Sequence, residues 1–484
     1  MEITQQWRIA IILSINVNRS RRAQITWLVL PLSLIVFVLA FYTGQERTLL
    51  ELEIAIIFIV YSLHHPMPAV FLSILAGTEF FQLILYDNLP GIRMSGIFFN
   101  LSDLFILLFL FIAAYRLPKR NKRPLFGNFV LIWVMYVGMR FALNLLTGEV
   151  SLDIGLNLLR TQVGWLSYLG FIAVIETPKD LKIYVKFIVI IMLIAVGFQI
   201  IEVVQGQRLN IFGQGTNEYW TGTKYIDVEG RLVPYLWSRA LSQTLLALFL
   251  SLGCAMESVR VRRNLSLAAF GVLAIMIAGV RSWYFGLAAG LVVILLFQRQ
   301  RSRAIFRAGL FLLCFVAIVA VLAPFMSRSY GNNPWDIWLA RTGQLIRFSE
   351  QANFQGRIAQ AEKARPVIRE SPLLGYGWGK TLLEFQTETG FNTILVHGII
   401  GTALILGMYL AVGRRVFRLW AILPSSEERG LITGVLALLV LYLAVQFSMD
   451  TLNSGGFAIV AAGFVDRITY FHEAGLLTGK VQQS

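Results

Sequence analysis

The residues best suited to chemistry in this chain of 484 residues are arginines at the ends of long apolar runs. Arg281 stands in GVRSWYFG between two such runs with almost no loop, and Arg239 and Arg140 lie near the ends of others. A charge so close to hydrocarbon is costly and usually marks a site, although an arginine at a helix end can also extend to lipid phosphates. Because the planar guanidinium forms paired hydrogen bonds with phosphate, these arginines indicate a substrate with a diphosphate or another anionic group.

The elements that must position these arginines are membrane-spanning helices. The chain is 57% hydrophobic and 14% charged, whereas soluble domains are about 25% charged. Runs of about the length that spans a bilayer lie near 25–44, 49–64, 66–86, 96–116, 125–145, 159–176, 181–205, 236–256, 264–279, 282–298, 304–327, 391–412, 430–448 and 454–470. The sequence therefore predicts an all-α polytopic membrane protein with about 14 transmembrane helices (12–14 without the shortest runs), forming a single membrane domain over residues 1–484.

Basic residues are concentrated in alternate connections between these runs. The clusters lie at 8–22, 116–123, 179–186, 260–263, 299–307, 414–429 and 467–480. The positive-inside rule places these segments, and with them both termini, in the cytoplasm. The formal net charge of +15 comes largely from such clusters rather than from a basic face with interleaved aromatic residues, which excludes nucleic acid as a partner.

The same alternation predicts two long external loops, at 206–235 and 328–390. Loops of this length are usually functional. The second loop has a helical pattern in which Arg357 and Arg365 are eight residues apart, at a spacing that places them on one helix face. With this topology, one external cavity lies within reach of five arginines: Arg231, Arg239, Arg281, Arg357 and Arg365.

The second loop also contains the glycine-rich stretch ESPLLGYGWGK at residues 370–380. Its glycines let the backbone approach a glycan closely, and the faces of Tyr376 and Trp378 suit stacking on sugar rings. The alternative is a loop-to-helix turn that is anchored by aromatic residues at the membrane interface.

No metal or cofactor site is expected, because no group of His, Cys, Asp and Glu has the spacing of metal ligands. Cys254 and Cys314 lie in separate apolar runs and indicate packing rather than thiol chemistry. His397 is the one histidine placed in the outer half of the protein. It fits a packing residue and a general base equally well.

The order of motifs resembles the O-antigen ligase and polysaccharide polymerase superfamily over roughly residues 150–450. The motifs are an Arg-Ser turn at 281–282, a Gly-Arg pair at 356–357 leading through SPLLGYGWG, and a helix that opens with Asn392 and passes GIIG. This resemblance implies a bacterial inner-membrane, metal-independent, inverting glycosyltransferase with a GT-C-like helix bundle. It further implies an undecaprenyl-diphosphate-linked glycan as the donor and a long, partly helical periplasmic loop that covers the site.

The resemblance also implies roles for individual residues. Arg281 and Arg357 match the two arginines that bind the donor diphosphate. Ligases of the family have a histidine immediately before the asparagine that opens the helix, where this chain has Phe391. The general base is therefore open among Glu388, Glu384 and His397. The predicted substrate-binding residues are Arg231, Arg239, Arg365, Tyr376, Trp378, Lys380 and Asn392.

Taken together, the motifs favour a polymerase that joins lipid-linked oligosaccharide units into O-antigen or exopolysaccharide. Chain-length regulator or export proteins are the protein partners such an activity would involve, beside the lipid-linked substrate and the bilayer. Two alternatives are a ligase that transfers glycan to a lipid or protein, and a transporter or flippase of lipid-linked sugars. A transporter predicts inverted repeats and broken helices, and neither is evident in the sequence.

Overall fold

The computed structural model describes part of the chain. The described residues are 61–63, 65–76, 92–94, 97–99, 101–117, 123–152, 155, 162, 164–205, 225–228, 231–234, 236, 238–257, 259–278, 281–297, 301–330, 352–377, 390–424, 426–447 and 456–477. The chain divides into two compact units, Met1–Pro68 and Ala69–Ser484. All contacts discussed below lie within the second unit.

Helices account for most of the described residues. In chain order they are α1 Pro66–Ala76, α2 Leu101–Arg116, α3 Gly127–Leu146, α4 Ser167–Val174, α5 Pro178–Gln205, α6 Leu241–Met256, α7 Val261–Ala278, α8 Arg281–Leu296, α9 Arg301–Tyr330, α10 Ala352–Glu370, α11 Phe391–Ile422, α12 Glu427–Ala444 and α13 Gly456–Glu473. The helix predicted within the 328–390 loop is α10, which is continuous through Pro366.

Two short antiparallel hairpins accompany the helices among the described residues. Strand β1 (Ile92–Met94) pairs with β2 (Ile97–Phe99), and β3 (Tyr225–Val228) pairs with β4 (Arg231–Pro234). The second hairpin lies in the predicted 206–235 loop and pairs Val228 with Arg231, with only two residues between the strands. Such a short connection, flanked by β-branched and aromatic residues, favours a hairpin over an open loop.

Four of the described helices, α3, α5, α7 and α11, are long and apolar enough to cross a membrane. Shorter apolar segments lie in α2, α4, α6, α8 and α9. Large apolar side chains on these helices remain exposed, among them Met135 at 74%, Phe306 at 74% and Leu410 at 73%. Such surfaces suit lipid rather than water, and the chain is a membrane protein. The predicted span at 25–44 lies outside the described residues, and the count of 14 spans remains a prediction.

The core of the bundle is the crossing of α6 and α12, which is made possible by small residues. A Cβ atom on Gly253 would lie 2.2 Å from the carbonyl oxygen of Gly430 and 2.9 Å from the amide nitrogen of Gly434. Glycines four residues apart on one helix let two backbones approach this closely within a membrane. The packing around the crossing leaves α6 buried along nearly its whole length from Thr244.

Polar contacts divide the helix ends into two groups. The first group, which we call the basic end, includes Arg116–Glu176 at 3.0 Å, Lys182–Glu427 at 3.2 Å, Arg429–Glu257 at 3.3 Å and Arg415–Glu473 at 2.8 Å. The second group, the site end, includes Arg239–Glu202 and the bond from the Gly390 amide to the Gln446 carbonyl at 2.9 Å. Each of these contacts joins segments that the alternation of basic loops assigns to one side of the membrane.

Candidate functional site

Helix α11 is broken at Gly398, about 10 Å from its start at 1.5 Å per residue. Gly398 has φ 61° and ψ −168°, which is not helical. In an unbroken helix the carbonyls of Leu395 and Val396 would accept hydrogen bonds from the amides four residues later. Here they accept instead from the amides of Tyr376 and Gly377, both at 2.8 Å. The glycine-rich stretch thus enters the break.

The other side of the break is bonded to the same stretch. The amide of Ile399 donates to the carbonyl of Pro372 at 2.8 Å, and the amide of Ile400 donates to the carbonyl of Leu373 at 3.1 Å. Four backbone groups that α11 gives up are therefore bonded by residues 371–377, which we call the docking segment. A break in a membrane helix is tolerated when neighbouring groups satisfy the freed backbone in this way.

Two glycines allow this close approach. Gly375 has φ 66°, and a Cβ atom there would lie 2.4 Å from the amide nitrogen of Gly398. A Cβ atom on Gly398 would in turn lie 2.4 Å from the Gly375 nitrogen and from the Leu373 carbonyl oxygen. Both positions favour glycine, because other residues are strained at these angles. The glycines were expected to bring backbone close to a glycan, whereas Gly375 lies against the backbone of α11.

One face of α3 holds the docking segment from the other side. Arg140 Nη2 and Asn144 Nδ2 donate to the carbonyls of Gly375 and Tyr376 at 2.6 and 2.8 Å, and the one hydroxyl proton of Tyr136 is shared between the carbonyls of Leu374, at 3.2 Å, and His397. These three side chains are four residues apart and so share one helix face. Arg140 and Asn144 are only 8% and 4% exposed. In this structure Arg140 therefore binds the protein backbone and does not extend toward lipid phosphates.

The side chain of Tyr376 connects the docking segment to the end of α10. Its hydroxyl donates to Glu370 Oε2 at 2.7 Å. This hydrogen bond, with smaller contributions from partial burial and from the charges of Glu370 and Glu149, raises the pKa of Tyr376 to about 12. The phenol therefore stays protonated, and remains a hydrogen-bond donor, throughout the physiological pH range.

Helix α10 carries Arg357 on the face that turns toward the protein. Ala364 and Val367 are buried on this helix, and Arg357 is half-buried seven residues before Ala364, at nearly the same angle around the helix axis. Arg365 is exposed, although it was expected to share the face of Arg357. The two arginines therefore differ in their surroundings.

The start of α8 lies at the same end of the bundle as the start of α11. Arg281 is the first residue of α8. Two residues later, the ring of Trp283 packs edge-on against Tyr442, with ring centroids 5.7 Å apart. Helix α12 then continues into the turn whose Gln446 carbonyl binds the Gly390 amide. Arg281 thus opens a helix that packs against α12, close to the turn bonded to Gly390, and Arg357 lies on the helix that leads into the docking segment.

Residues 266–393 match the family model described as O-antigen ligase. The match confirms the resemblance for this segment, which runs from α7 to the first residues of α11 and includes Arg281, Arg357, the docking segment and Asn392. No curated protein and no solved structure matches the chain. Helix α3 lies outside the O-antigen ligase segment.

Just beyond the O-antigen ligase segment, His397 is fully buried. Its ring lies 4.8 Å from that of Trp133, and its carbonyl accepts a short hydrogen bond from the Tyr136 hydroxyl. Asn392, within the segment, is 7% exposed. Of the two interpretations of His397, burial favours packing, since a substrate would reach the ring only if these neighbours moved. Its role as a base stays a prediction.

Arg239, outside the O-antigen ligase segment, already has an anionic partner. Its guanidinium donates to Glu202 Oε1 through Nε at 3.0 Å and through Nη2, and both side chains are buried. Nearby, Gln199 Nε2 donates to the carbonyls of Leu236 and Ala274 at 2.7 and 2.9 Å. A phosphate at Arg239 would have to compete with the Glu202 carboxylate. Sequence reasoning missed Glu202, although an acidic residue inside an apolar run is itself a signal.

The remaining predicted site residues are described in part or not at all. Arg231 lies in β4, opposite Val228. Trp378, Lys380, Glu384 and Glu388 lie outside the described residues. Among the residues that the structure does describe, no three His, Cys, Asp or Glu side chains come together as a metal site.

Proposed function

We propose that this protein is a polysaccharide polymerase that joins undecaprenyl-diphosphate-linked oligosaccharide units into O-antigen or exopolysaccharide. The observation that carries the proposal is the O-antigen ligase match, because it spans both Arg281 and Arg357. It is supported by the docking segment, which ties the end of α10 to the start of α11 and so holds the Arg357 helix at the site end.

In the proposed reaction, an acceptor sugar hydroxyl attacks the anomeric carbon of the donor, and the bond from that carbon to the diphosphate oxygen breaks with inversion. Arg281 and Arg357 stabilise the negative charge that develops on the departing diphosphate. A general base takes the hydroxyl proton, and Glu388 and Glu384 are the candidates that remain beside the buried His397.

The other predicted contacts have unequal support within this proposal. Tyr376 presents its ring beside Glu370 at the site end, where an aromatic face and a hydroxyl-binding carboxylate suit a sugar. Arg239 is better suited to holding α5 against the start of α6 through Glu202 than to binding phosphate. The further contacts proposed for the substrate are Arg231, Arg365, Trp378, Lys380 and Asn392.

We further propose that about 14 helices form a GT-C-like bundle in the bacterial inner membrane, with both termini in the cytoplasm. The basic end would face the cytoplasm and the site end the periplasm. The support is the grouping of contacts: Arg116, Lys182, Arg415 and Arg429 all pair at the basic end, where the positive-inside rule expects such residues.

The test of the proposed function is the set of lipid-linked products in a strain that lacks the gene. We expect single oligosaccharide units to accumulate on the lipid carrier while polymer disappears, because initiation and transport of units would continue without polymerisation. Mass spectrometry of extracted lipid-linked glycans measures this directly, and re-introducing the gene should restore polymer.

The second candidate is a ligase, which the description of the matching family favours. Loss of a ligase leaves long polymer on the lipid carrier and none on the final acceptor, so the same extraction separates the two candidates. A transporter would leave units accumulating on the cytoplasmic side. Helix α11 is broken, as a transporter would predict, but the carbonyls and amides freed around Gly398 are bonded to the docking segment and not offered to a substrate.

Transfer is expected to continue without divalent metal. This expectation rests on the family resemblance, in which arginines rather than a cation stabilise the leaving diphosphate. Purified protein supplied with lipid-linked units from the deletion strain should extend them equally well with and without excess EDTA. A reversible loss of product that Mg²⁺ or Mn²⁺ restores would overturn the metal-free mechanism.

A further inference from the structure

Helix α3 lies outside the O-antigen ligase segment, residues 266–393, yet it contacts the glycine-rich docking segment within it. Its buried face donates hydrogen bonds to three consecutive carbonyls, at residues 374–376. The amides of residues 376 and 377 are bonded to α11. The docking segment is therefore held on both sides by groups that come from two different helices.

Arg140 is the costly member of this arrangement. Arg140 is only 8% exposed, and in the part of the chain that the structure describes it has no carboxylate within ion-pair distance. The buried guanidinium groups of Arg239, Arg429 and Arg467 each have such a partner. A charge buried without a counter-ion is destabilising unless hydrogen bonds compensate it. The hydrogen bond that Arg140 makes is to the Gly375 carbonyl.

We propose that Arg140 is a positioning residue that keeps the docking segment seated in the break of α11. Tyr136 and Asn144 support it by holding the carbonyls on either side of Gly375. By fixing this backbone, Arg140 fixes the position of Tyr376. The effect on glycan transfer rests on the proposed function, whereas the effect on the docking segment does not.

The first test is amide hydrogen exchange of the purified protein, comparing wild type with Arg140→Met. Methionine fills similar space without charge, and replacing a buried charge in this way often leaves stability intact. We expect exchange to rise by about tenfold or more in residues 373–377 and in residues 395–400 together, as expected for loss of a charge-assisted hydrogen bond. The two segments should respond together because each supplies the other's partners.

The matched control is Arg415→Met, near the other end of α11, where Arg415 pairs with Glu473 at the basic end. This variant should leave exchange in both segments unchanged. Asn144→Ala provides a second variant in case Arg140→Met does not fold, with a smaller coupled increase expected because its bond is uncharged. Unchanged exchange in the Arg140 and Asn144 variants would overturn the proposal.

The second test separates positioning from direct binding of the donor. With lipid-linked units extracted from the deletion strain, Arg140→Met should lower kcat by about a hundredfold, the cost of a misplacement of about 1 Å, with KM for the donor nearly unchanged. Arg140→Lys, which keeps a charged hydrogen-bonding group, should recover part of the lost kcat. A raised KM with normal kcat would assign Arg140 to donor binding instead. If no units are extended by the wild type, the proposed function fails while the exchange result stands.

Discussion

Replacing Arg281 or Arg357 with alanine is expected to lower glycan transfer by about a hundredfold. Each arginine is proposed to donate charge-assisted hydrogen bonds that strengthen as the diphosphate leaves, and losing one such donor costs on the order of 3 kcal/mol in the transition state. Lysine should rescue poorly, since a point charge does not reproduce the two-pronged guanidinium. The measurement is the ratio of polymer to single lipid-linked units in membranes of the deletion strain that expresses each variant.

Two control variants isolate the effect of the site. Lys363→Ala removes an exposed charge from α10, the helix that carries Arg357. Arg262→Ala removes an exposed charge at the start of α7, at the basic end. Both should leave polymer length unchanged. Normal polymer from Arg281→Ala and Arg357→Ala, at normal expression, would show that neither arginine acts on the donor.

Gly398→Ala is expected to abolish transfer and to lower the melting temperature of the purified protein. Alanine at this φ and ψ is strained by about 1–3 kcal/mol, and its Cβ would lie 2.4 Å from backbone atoms of Gly375 and Leu373. Backbone atoms cannot turn aside as a flexible side chain does, so the docking segment must leave the break. Thermal unfolding in detergent and complementation of the deletion strain measure the two effects.

Gly413→Ala is the control on the same helix. A Cβ atom on Gly413 meets nothing within 4 Å, and alanine favours a helix over glycine by about 1 kcal/mol. This variant should be as stable as wild type or slightly more stable, with normal transfer. Equal melting temperatures and equal transfer for the Gly398 and Gly413 variants would mean that the seated docking segment is not required.

Several of the long helices could be predicted because hydrocarbon imposes their length. The apolar runs at 181–205 and 264–279 correspond to Pro178–Gln205 and Val261–Ala278. The apolar run at 391–412 stops short of the end of α11, which continues to Ile422. Arg414, Arg415 and Arg418 end the apolar pattern but are good helix formers, so the end of hydrophobicity did not mark the end of the helix.

The break in α11 and its partner could not be predicted in the same way. A single glycine in an apolar run is compatible with a membrane helix, and Gly398 lies in the run LVHGIIG. The docking segment binds through backbone amides and carbonyls, which every residue carries and which leave no pattern of side chains. The sequence marked Arg140 as unusual, but its contact with Gly375 joins residues 235 positions apart, and a carbonyl has no signature.

The exchange of hydrogen bonds at Gly398 has a consequence for biogenesis. In hydrocarbon, each unbonded amide or carbonyl costs several kcal/mol, and the groups freed around Gly398 find partners in residues 372–377 and in the Tyr136 hydroxyl. We therefore expect a newly inserted α11 to make its own internal bonds until the docking segment, which precedes it in the chain, enters the break. The described form would then arise when those bonds are exchanged for bonds to the docking segment, so that maturation of this protein would include a local rearrangement of α11.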